Sequence, residues 1–253
     1  MDDITQLKPA LRRLKMTGMA ENLDDRIKQA MKEKWSYVHF LHAIFTEESE
    51  RRDHKQEVLR LARSNLDPQK TLETFDFTFN PKIHENTVRQ LSECIFIEKH
   101  ENIFIVGQSG VGKSHLAQAI GHEACRRGYD TLFYSTANLF QWLNAGRADN
   151  SLAKRMKQVL KAPLLILDDF GLKALTEMQQ SDLYDLIDAR YEKGATIITS
   201  NRDFSEWPAV FKNPLMASAA MDRLVHRATK IVIEGKSFRL NEFAKRGKKQ
   251  GSQ

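Results

Sequence analysis

The segment IFIVGQSGVGKSH, residues 103–115, constrains the possible fold more than any other part of the chain. Four apolar residues lead into a glycine-rich loop with the pattern GxxxxGK[ST], in which Gly107, Gly112, Lys113 and Ser114 hold the fixed positions. A loop of this type lies between a buried strand and the N-terminus of a helix, where backbone N–H groups face phosphate oxygens. The segment therefore predicts an α/β fold that binds a nucleotide at one edge of a parallel sheet.

Short apolar runs alternate with amphipathic segments from about residue 83 onward. The strand candidates are residues 103–106, 131–134, 164–167, 196–199 and 230–233, and helices are predicted to begin at Lys113, Thr136, Ser151 and Thr176. The last of these helices starts with Thr176 and Gln179 at the spacing of a capping box. Strands that alternate with helices predict a parallel sheet covered by helices on both faces.

The N-terminal part of the chain has a helix-forming composition and predicts a small all-helical domain. A longer helix is expected to begin at Ser36. Four of its apolar side chains are expected to face inward, namely Phe40, Leu41, Ile44 and Phe45. We predict the helical domain at residues 1–66, a linker rich in turn formers at 67–82, and the α/β domain with a short basic tail at 83–253.

Composition excludes several classes of protein. Apolar residues make up 41% of the chain, and no apolar run approaches the length of about 18 residues that a membrane span needs. The first residues do not follow the order of a signal peptide, so we expect a soluble, cytoplasmic protein with no membrane partner. Cys94 and Cys125 lie far apart and outside any cluster with histidine, which predicts ordinary buried thiols rather than a disulfide or a zinc site.

The net charge of +6 is concentrated at the C-terminal end. From Arg223 onward nine lysines and arginines stand against two glutamates, which gives that segment a net charge of +7. Such a terminus suggests a polyanion partner, although a tail that only increases solubility fits the pattern equally well. Arg12, Arg13 and Lys15 could add to a basic surface, or they could form the solvated side of the first helix.

The glycine-rich loop is expected to hold the phosphates of a nucleotide. Its binding residues would be Gly107, Gln108, Ser109, Gly110, Val111, Gly112, Lys113 and Ser114. The glycines allow a close approach of the backbone, Lys113 would bridge the terminal phosphates, and the hydroxyl of Ser114 would ligate Mg²⁺.

A second buried strand, within LLILDDFG at residues 164–171, ends in two carboxylates. Open α/β sheets bind their ligands at the carboxyl ends of the strands, which is where Asp168 and Asp169 would lie. Asp168 would hold Mg²⁺, and Asp169 would polarise a water molecule against the γ-phosphate. The alternative is that Asp169 only caps the turn that follows the strand.

Three further residues complete the candidate catalytic set. Asn201 follows the strand in ATIITSN and could orient the attacking water or sense the γ-phosphate, or it could be an ordinary turn residue. Arg223 and Arg227 lie four positions apart in DRLVHR, and on one helix they would share a face suited to an arginine finger that reaches a neighbouring subunit. The alternative for this pair is a surface ion pair with Asp222 or Glu234.

These motifs together resemble the AAA+ ATPases, and in particular the branch of bacterial initiators and helicase loaders, which includes DnaA and DnaC. The resemblance is closer still to the IstB-like transposition helper ATPases of bacterial insertion sequences, and it covers nearly the whole chain. The segments that carry it are LRRLKMTGMAENL, KTLETFDFTFNP, GVGKSHLAQAIGHEA, LLILDDFG, LIDARYEKGATIITSNRDFSEW and DRLVHRATKIVIEGKSFR. In the family pattern Arg227 corresponds to the finger, and Arg223 is the second candidate.

The resemblance implies an ATPase that uses ATP and Mg²⁺. It implies DNA and the transposase of the same element as partners. If Arg227 reaches a neighbouring subunit, assembly is head-to-tail into a ring or helical filament, and the basic C-terminal segment predicts that double-stranded DNA is contacted mainly through its phosphates. Hydrolysis would be slow, because Asp169 is shorter than the glutamate found in many AAA+ proteins, and we expect DNA to stimulate it. Arg239, in KSFRL, is a candidate phosphate sensor.

Three alternatives remain at this point. A helicase loader similar to DnaC would share the ATPase and differ in its protein partner. A small-molecule or nucleotide kinase would share the phosphate loop, but the extra strand, Asn201 and the arginine pair speak against it. A nucleotide-gated binding scaffold would bind ATP with negligible hydrolysis.

Overall fold

A computed structural model describes residues 2–80 and 83–241 of the chain. The chain divides into two compact units, one that ends at Leu59 and one that begins at Arg60. The basic residues of the tail, Lys245, Arg246, Lys248 and Lys249, lie outside the described residues. Within the described part, no helix has the length and apolar character that crossing a membrane requires.

The first unit consists of helices. These are α1 (Asp2–Arg13), α2 (Thr17–Glu33) and α3 (Tyr37–Ser64), whose last turn belongs to the second unit. Its core contains Met19, Leu23 and Ile44, and the partly buried Phe40 packs against them. The expectation that Leu41 and Phe45 face inward is wrong, since they are 52% and 51% exposed. Residues 40 and 44 share one face of α3, and the next residue in each case is turned about 100° away from it.

The second unit contains a five-stranded sheet with helices on both faces. Its helices are α4 (Glu85–Ser92), α5 (Ile95–Glu98), α6 (Lys113–Arg126), α7 (Thr136–Ala148), α8 (Leu152–Lys161), α9 (Glu177–Arg190) and α10 (Pro214–Val225), with a 3-10 helix at Phe204–Val210. Its strands are β1 (Asn102–Gly107), β2 (Thr131–Ser135), β3 (Leu164–Phe170), β4 (Ala195–Ser200) and β5 (Ala228–Ile233). The predicted fold class is confirmed.

All strand pairs are parallel, and the order across the sheet is β2-β3-β4-β1-β5. The central strand β4 is buried along its whole length, which fits its continuous apolar sequence. The order places the carboxyl ends of β3 and β1 on either side of the end of β4. The two aspartates that end β3, Asn201 after β4 and the loop after β1 therefore lie at the same edge of the sheet.

Local sequence signals explain where the helices begin. Thr176 and Gln179 form the predicted capping box at the start of α9, and the side chain of Ser135 accepts a bond from the backbone of Asn138 at the start of α7. Cys94 and Cys125 are buried free thiols, as predicted. Burial raises the pKa of Cys94 to about 12, so this thiol is not a nucleophile at neutral pH.

The predicted linker packs against α6 in the second unit. The backbone N–H of Asp67 donates to Oε1 of Gln118 at 2.8 Å, and Nε2 of His122 lies 2.9 Å from the carbonyl oxygen of Asp67. One turn nearer the phosphate loop, Nε2 of His115 lies 3.0 Å from the carbonyl oxygen of Thr71. Polar side chains on one face of α6 thus hold the backbone of this segment beside the loop.

Candidate nucleotide site

The glycine-rich loop has the backbone that its sequence demands. Gly110 and Gly112 have φ values of 81° and 103°, in a region that residues with a side chain rarely adopt. Gly112 directly precedes α6, so the first backbone N–H groups of that helix open toward the loop. A helix N-terminus with these free donors and a partial positive charge is suited to bind phosphate.

Lys113 is buried, and its ammonium group joins the loop to the neighbouring strand. Nζ donates to the carbonyl oxygen of Gln108 at 2.8 Å and to Oδ1 of Asn201 at 2.5 Å. Burial lowers the pKa of Lys113, while the carboxylates of Asp169 and Asp168 oppose that change. The structure therefore brings together five of the predicted residues around one ammonium group.

The end of β3 holds its two carboxylates in different ways. Asp168 is buried, and one of its oxygens accepts a short hydrogen bond from Oγ1 of Thr199 on β4. The same Oγ1 accepts from the backbone N–H of Asp169 at 3.0 Å. Thr199 thus orients both residues, and the sequence analysis did not single it out. The sequence feature that could have identified Thr199 is its position in β4, two residues before Asn201.

Asp169 projects into the cavity at the loop because the backbone turns at that residue. Its φ is 56°, and the pairing of β3 with β4 shifts register between Leu167 and Phe170. Burial and the charge of Asp168 raise the pKa of Asp169, whereas Lys113 and Arg239 partly offset the increase. A carboxylate with a raised pKa at the edge of a cavity has the chemistry of a proton acceptor.

A cavity of about 280 Å³ surrounds the loop. Its lining includes the residues Lys70, Thr74, Phe75, Asp76, Phe79, Asn80, Ser109, Gly110, Val111, Gly112, Lys113, Ser114, His115, Asp169, Asn201, Phe238 and Arg239. The first six of these lie in the segment that the sequence analysis interpreted only as a linker. Alternating aromatic residues in FDFTF were the available signal, because such residues are unusual in a solvated linker.

Aromatic rings form one wall of this cavity. The ring of Phe75 lies against Gly112, where an added Cβ would come within 3.2 Å of it. Phe79 and Phe238 meet edge to face, with ring centroids 4.9 Å apart. Flat apolar rings next to a phosphate-binding loop can hold a nucleotide base while the loop holds its phosphates.

The C-terminal segment crosses the loop and brings in Arg239. The backbone N–H of Phe238 donates to the carbonyl oxygen of Gly110 at 2.9 Å. Arg239 lines the cavity, and its charge acts on the pKa values of both Lys113 and Asp169. The predicted sensor arginine is therefore positioned near the place where terminal phosphates would lie.

Arg223 and Arg227 do not share a helix, so that expectation is wrong. Helix α10 ends at Val225, and Arg227 adopts a left-handed conformation with φ 57° in the turn before β5. Their acidic neighbours also differ from the predicted Asp222 and Glu234. Arg223 pairs with Asp188 at 2.8 Å, and Arg227 lies 3.9 Å from Glu192.

The two arginines lie at the opposite edge of the sheet from the phosphate loop. In the pairing of β1 with β5, Asn102 is opposite Ala228 and Gly107 is opposite Ile233. Arg227 therefore precedes the amino end of β5, whereas the loop follows the carboxyl end of β1. The strand between them spans about 20 Å, so Arg227 cannot reach the phosphates held by its own subunit.

The residues present fit a nucleotide with Mg²⁺. Among the described residues no cluster of three or more His, Cys, Asp or Glu could bind a metal ion alone. Mg²⁺ in nucleotide sites takes one or two protein oxygens and completes its shell with phosphates and water. The hydroxyl of Ser114, which lines the cavity, and the carboxylate of Asp168 near the end of β3, at the same edge of the sheet, supply that number.

Comparisons with known proteins find relatives that are named for ATP binding. A family model described as IstB-like ATP binding protein matches residues 9–246. A Mycobacterium tuberculosis relative, named for ATP binding and for its insertion sequence, is 38% identical over 92% of this chain and 93% of its own length. The corresponding protein of insertion sequence IS21 from Pseudomonas aeruginosa is 36% identical over 96% of this chain and 91% of its own length.

Solved structures share the fold of the second unit. AMPPCP-bound DnaA from Aquifex aeolicus superimposes with a TM-score of 0.57 and 24% identity. The match covers 74% of this chain and 57% of that protein.

Proposed function

Because this chain belongs to the IstB-like ATP-binding family, we propose that it is an ATP-dependent DNA-binding helper of transposition. It assembles on target DNA, hydrolyses ATP, and recruits or stimulates the transposase of an insertion sequence. The observation that carries the proposal is that Arg227 and the phosphate loop lie at opposite edges of the sheet. Lys113 and Asp169 lie at the carboxyl edge of the sheet, and Arg227 lies at the amino edge.

Within one subunit, the loop binds and orients the triphosphate. Lys113 neutralises charge on the terminal phosphates, and the amide of Asn201 contacts the γ-phosphate or the attacking water. Ser114 and Asp168 hold Mg²⁺, which would neutralise further charge on the phosphate oxygens. Asp169 accepts the proton of the attacking water, and its raised pKa suits that role.

Arg227 completes the site of the next subunit. Its side chain is 57% exposed, and within the described part of the chain its ion pair is the 3.9 Å contact with Glu192, so little has to break when it moves. Arg223 is 29% exposed and is held by Asp188, by the carbonyl oxygen of Ala219 at 3.0 Å, and over the ring of Tyr184. This difference favours Arg227 as the finger and Arg223 as a structural residue.

A site shared between opposite edges of two subunits produces head-to-tail assembly. Such an interface uses two different surfaces of the same chain, so it repeats until it closes into a ring or continues as a helical filament. ATP favours assembly because its γ-phosphate joins the two surfaces. Hydrolysis removes that contact and favours release.

The surface of α8 supports a DNA-binding role. The helix has four basic residues and no acidic one. Lys154, Lys157 and Lys161 follow each other at spacings of three and four, and all three are exposed. Arg155 faces the other way, where it pairs with Asp149 at 2.6 Å. A row of lysines along one helix face suits the phosphate backbone and predicts weak sequence preference.

The transposase as protein partner follows from the relatives, which are named as proteins of insertion sequences. A helicase loader with the same ATPase is the alternative. A pull-down with the tagged chain, a transposase from an insertion sequence of the same type and the replicative helicase separates the two. Retention of the transposase alone is expected, and retention of the helicase alone would favour the loader.

Electron microscopy of the full chain with duplex DNA and a slowly hydrolysed ATP analogue tests the assembly. We expect a ring or filament on DNA with Arg227 of one subunit at the phosphates of the next. A particle that stays monomeric under these conditions would contradict the proposal.

Multiple-turnover phosphate release with and without DNA distinguishes an ATPase from a scaffold that only binds ATP. A kinase would show no change in phosphate release when DNA is added. In a cell we expect the protein in the cytoplasm, on the nucleoid when it is bound to DNA.

A further inference from the structure

One side chain at the amino edge of the sheet connects three elements. Nδ2 of Asn102, the first residue of β1, donates to the carbonyl oxygen of Leu224 at 3.0 Å. Its Oδ1 accepts from the backbone N–H of Thr196 on β4 at 3.1 Å. Its backbone N–H donates to the carbonyl oxygen of Arg227 at 3.3 Å. Asn102 therefore fastens both the end of α10 and the turn that carries Arg227 to the central strands.

The turn at Arg227 depends on such support. A left-handed backbone is unfavourable for any residue with a side chain, and it persists only where the surroundings determine it. The carbonyl oxygen of Leu224 belongs to the last turn of α10, where carbonyls lack partners within the helix. The bond from Asn102 supplies that partner and holds the last turn of the helix at Leu224, three positions before Arg227.

The position of Asn102 separates it from the nucleotide site of its own subunit. It begins β1, and the phosphate loop follows the other end of the same strand. It lines a small cavity together with Arg223, Arg227 and Glu192, and it is not among the residues that line the cavity around Lys113. A change at Asn102 should therefore affect the arginine that the subunit donates before it affects the nucleotide that the subunit binds.

We infer that Asn102 is a positioning residue for Arg227, which it holds in the direction from which the guanidinium enters the nucleotide site of the neighbouring subunit. The inference rests on the proposed function, because it requires Arg227 to act on another subunit. Asn102 itself contacts neither nucleotide nor water in the reaction.

Mixtures of full-length variants with duplex DNA and ATP distinguish two defects: failure of a subunit to donate its Arg227, and failure of a subunit's nucleotide site to accept that arginine. Lys113→Ala leaves a subunit that can donate Arg227 but cannot hydrolyse, and Arg227→Ala leaves one that can accept a finger but cannot donate it. Their mixture is the reference. In the donor arm, Asn102→Ala is added to the Lys113→Ala chain, which is mixed with Arg227→Ala. In the acceptor arm, Asn102→Ala is added to the Arg227→Ala chain, which is mixed with Lys113→Ala.

Phosphate release in the donor arm should fall at least about tenfold below the reference, because a misaligned catalytic group loses most of its effect. The acceptor arm should stay within about twofold of the reference, since its phosphate loop is intact and its finger comes from a normal subunit. Asn144→Ala on the exposed surface of α7 is the matched control and should leave both arms at the reference level.

Equal loss in both arms would show a general structural role and would overturn the inference, as would an unchanged donor arm. Asn102→Asp is the second variant: it keeps an acceptor for Thr196 and loses only the donor to Leu224. It should reproduce the donor-arm loss even if Asn102→Ala does not fold. An inactive reference mixture would instead reject the shared site, and with it the role assigned to Asn102.

Discussion

Nζ of Lys113 donates a 2.5 Å hydrogen bond to Oδ1 of Asn201, although the two residues are 88 positions apart in the chain. They meet because β1 and β4 are neighbours in the sheet, so the residues that follow both strands share one edge. A γ-phosphate bound to Lys113 would lie within reach of the Asn201 amide. The pair thus connects phosphate binding to the end of the central strand.

Replacing Asn201 should impair hydrolysis more than ATP binding. We expect Asn201→Ala to lower the turnover rate by about tenfold to hundredfold, because a polar contact to the γ-phosphate or water acts mainly in the transition state. The dissociation constant of a fluorescent ATP analogue should change by less than about threefold. Asn144→Ala is the surface control. Normal turnover of Asn201→Ala would show that Asn201 is an ordinary turn residue.

Asp169→Asn should retain ATP binding and lose most hydrolysis. Removal of a general base costs about 10²- to 10⁴-fold in rate. Because the pKa of Asp169 is raised, the wild-type rate should also fall at a higher pH than for an ordinary aspartate when the solution is acidified. Normal phosphate release by the asparagine variant would remove the catalytic assignment.

The same substitution should raise the Tm at neutral pH in buffer without Mg²⁺. A carboxyl group whose pKa is higher in the folded than in the unfolded protein costs stability once the pH rises above its unfolded value of about 3.9. Burial and Asp168 give Asp169 that raised pKa, and asparagine removes the cost. Asp149→Asn is a control of opposite sign, because the pKa of Asp149 is lowered by Ser151 and Arg155 and its charge is stabilising above the unfolded pKa. A lower Tm for Asp169→Asn would contradict this electrostatic account.

The sequence was sufficient to predict the sheet and several of the residues that meet at its carboxyl edge. Local sequence patterns identify the strands and the phosphate loop. A strand buried on both faces must be continuously apolar, and the loop needs glycine where φ is positive. The order of Asp168, Asp169 and Asn201 along the chain also indicated their common edge. Their placement side by side depends on the strand order, which only the structure shows.

Contacts between distant segments could not be predicted in this way. Residues 67–80 contain turn formers typical of a linker, but His115, Gln118 and His122 on α6 bind their backbone and place Phe75 at the cavity. The sequence also did not reveal that α10 ends at Val225, before Arg227. DRLVHR contains no glycine or proline to end a helix, and the observed end depends on Asn102 from β1.

Arg223 and Arg227 should respond differently to replacement. Arg223→Ala should destabilise the fold by about 1 kcal/mol, because it removes an ion pair, a bond to a backbone carbonyl and a cation–π contact that are all partly exposed. Arg227→Ala should leave the Tm unchanged and lower DNA-stimulated hydrolysis by about 10³-fold or more. Thermal unfolding and phosphate release measure the two effects. The reverse pattern would make Arg223 the finger.

Neutralising the lysines of α8 should weaken DNA binding uniformly across sequences. For Lys154→Ala, Lys157→Ala and Lys161→Ala combined, the slope of log affinity against log salt should decrease by about 2 to 3, because each lost phosphate contact contributes about 0.9. Fluorescence anisotropy with two unrelated duplexes provides the measurement.

The matched variant neutralises three basic residues of the first unit, Arg12, Arg13 and Lys15, and should change the slope much less. A larger effect of this second variant would place the main DNA-binding surface in the N-terminal helices instead of α8.

The central claim is that one ATP site takes its phosphate loop from one subunit and its arginine from the next, and mixing Lys113→Ala with Arg227→Ala tests it most directly. Each variant alone should be nearly inactive with DNA and ATP. An equimolar mixture should recover about a quarter of the wild-type rate, because about one in four random head-to-tail neighbours pairs an intact loop with an intact finger. A mixture as inactive as its components would contradict the shared site.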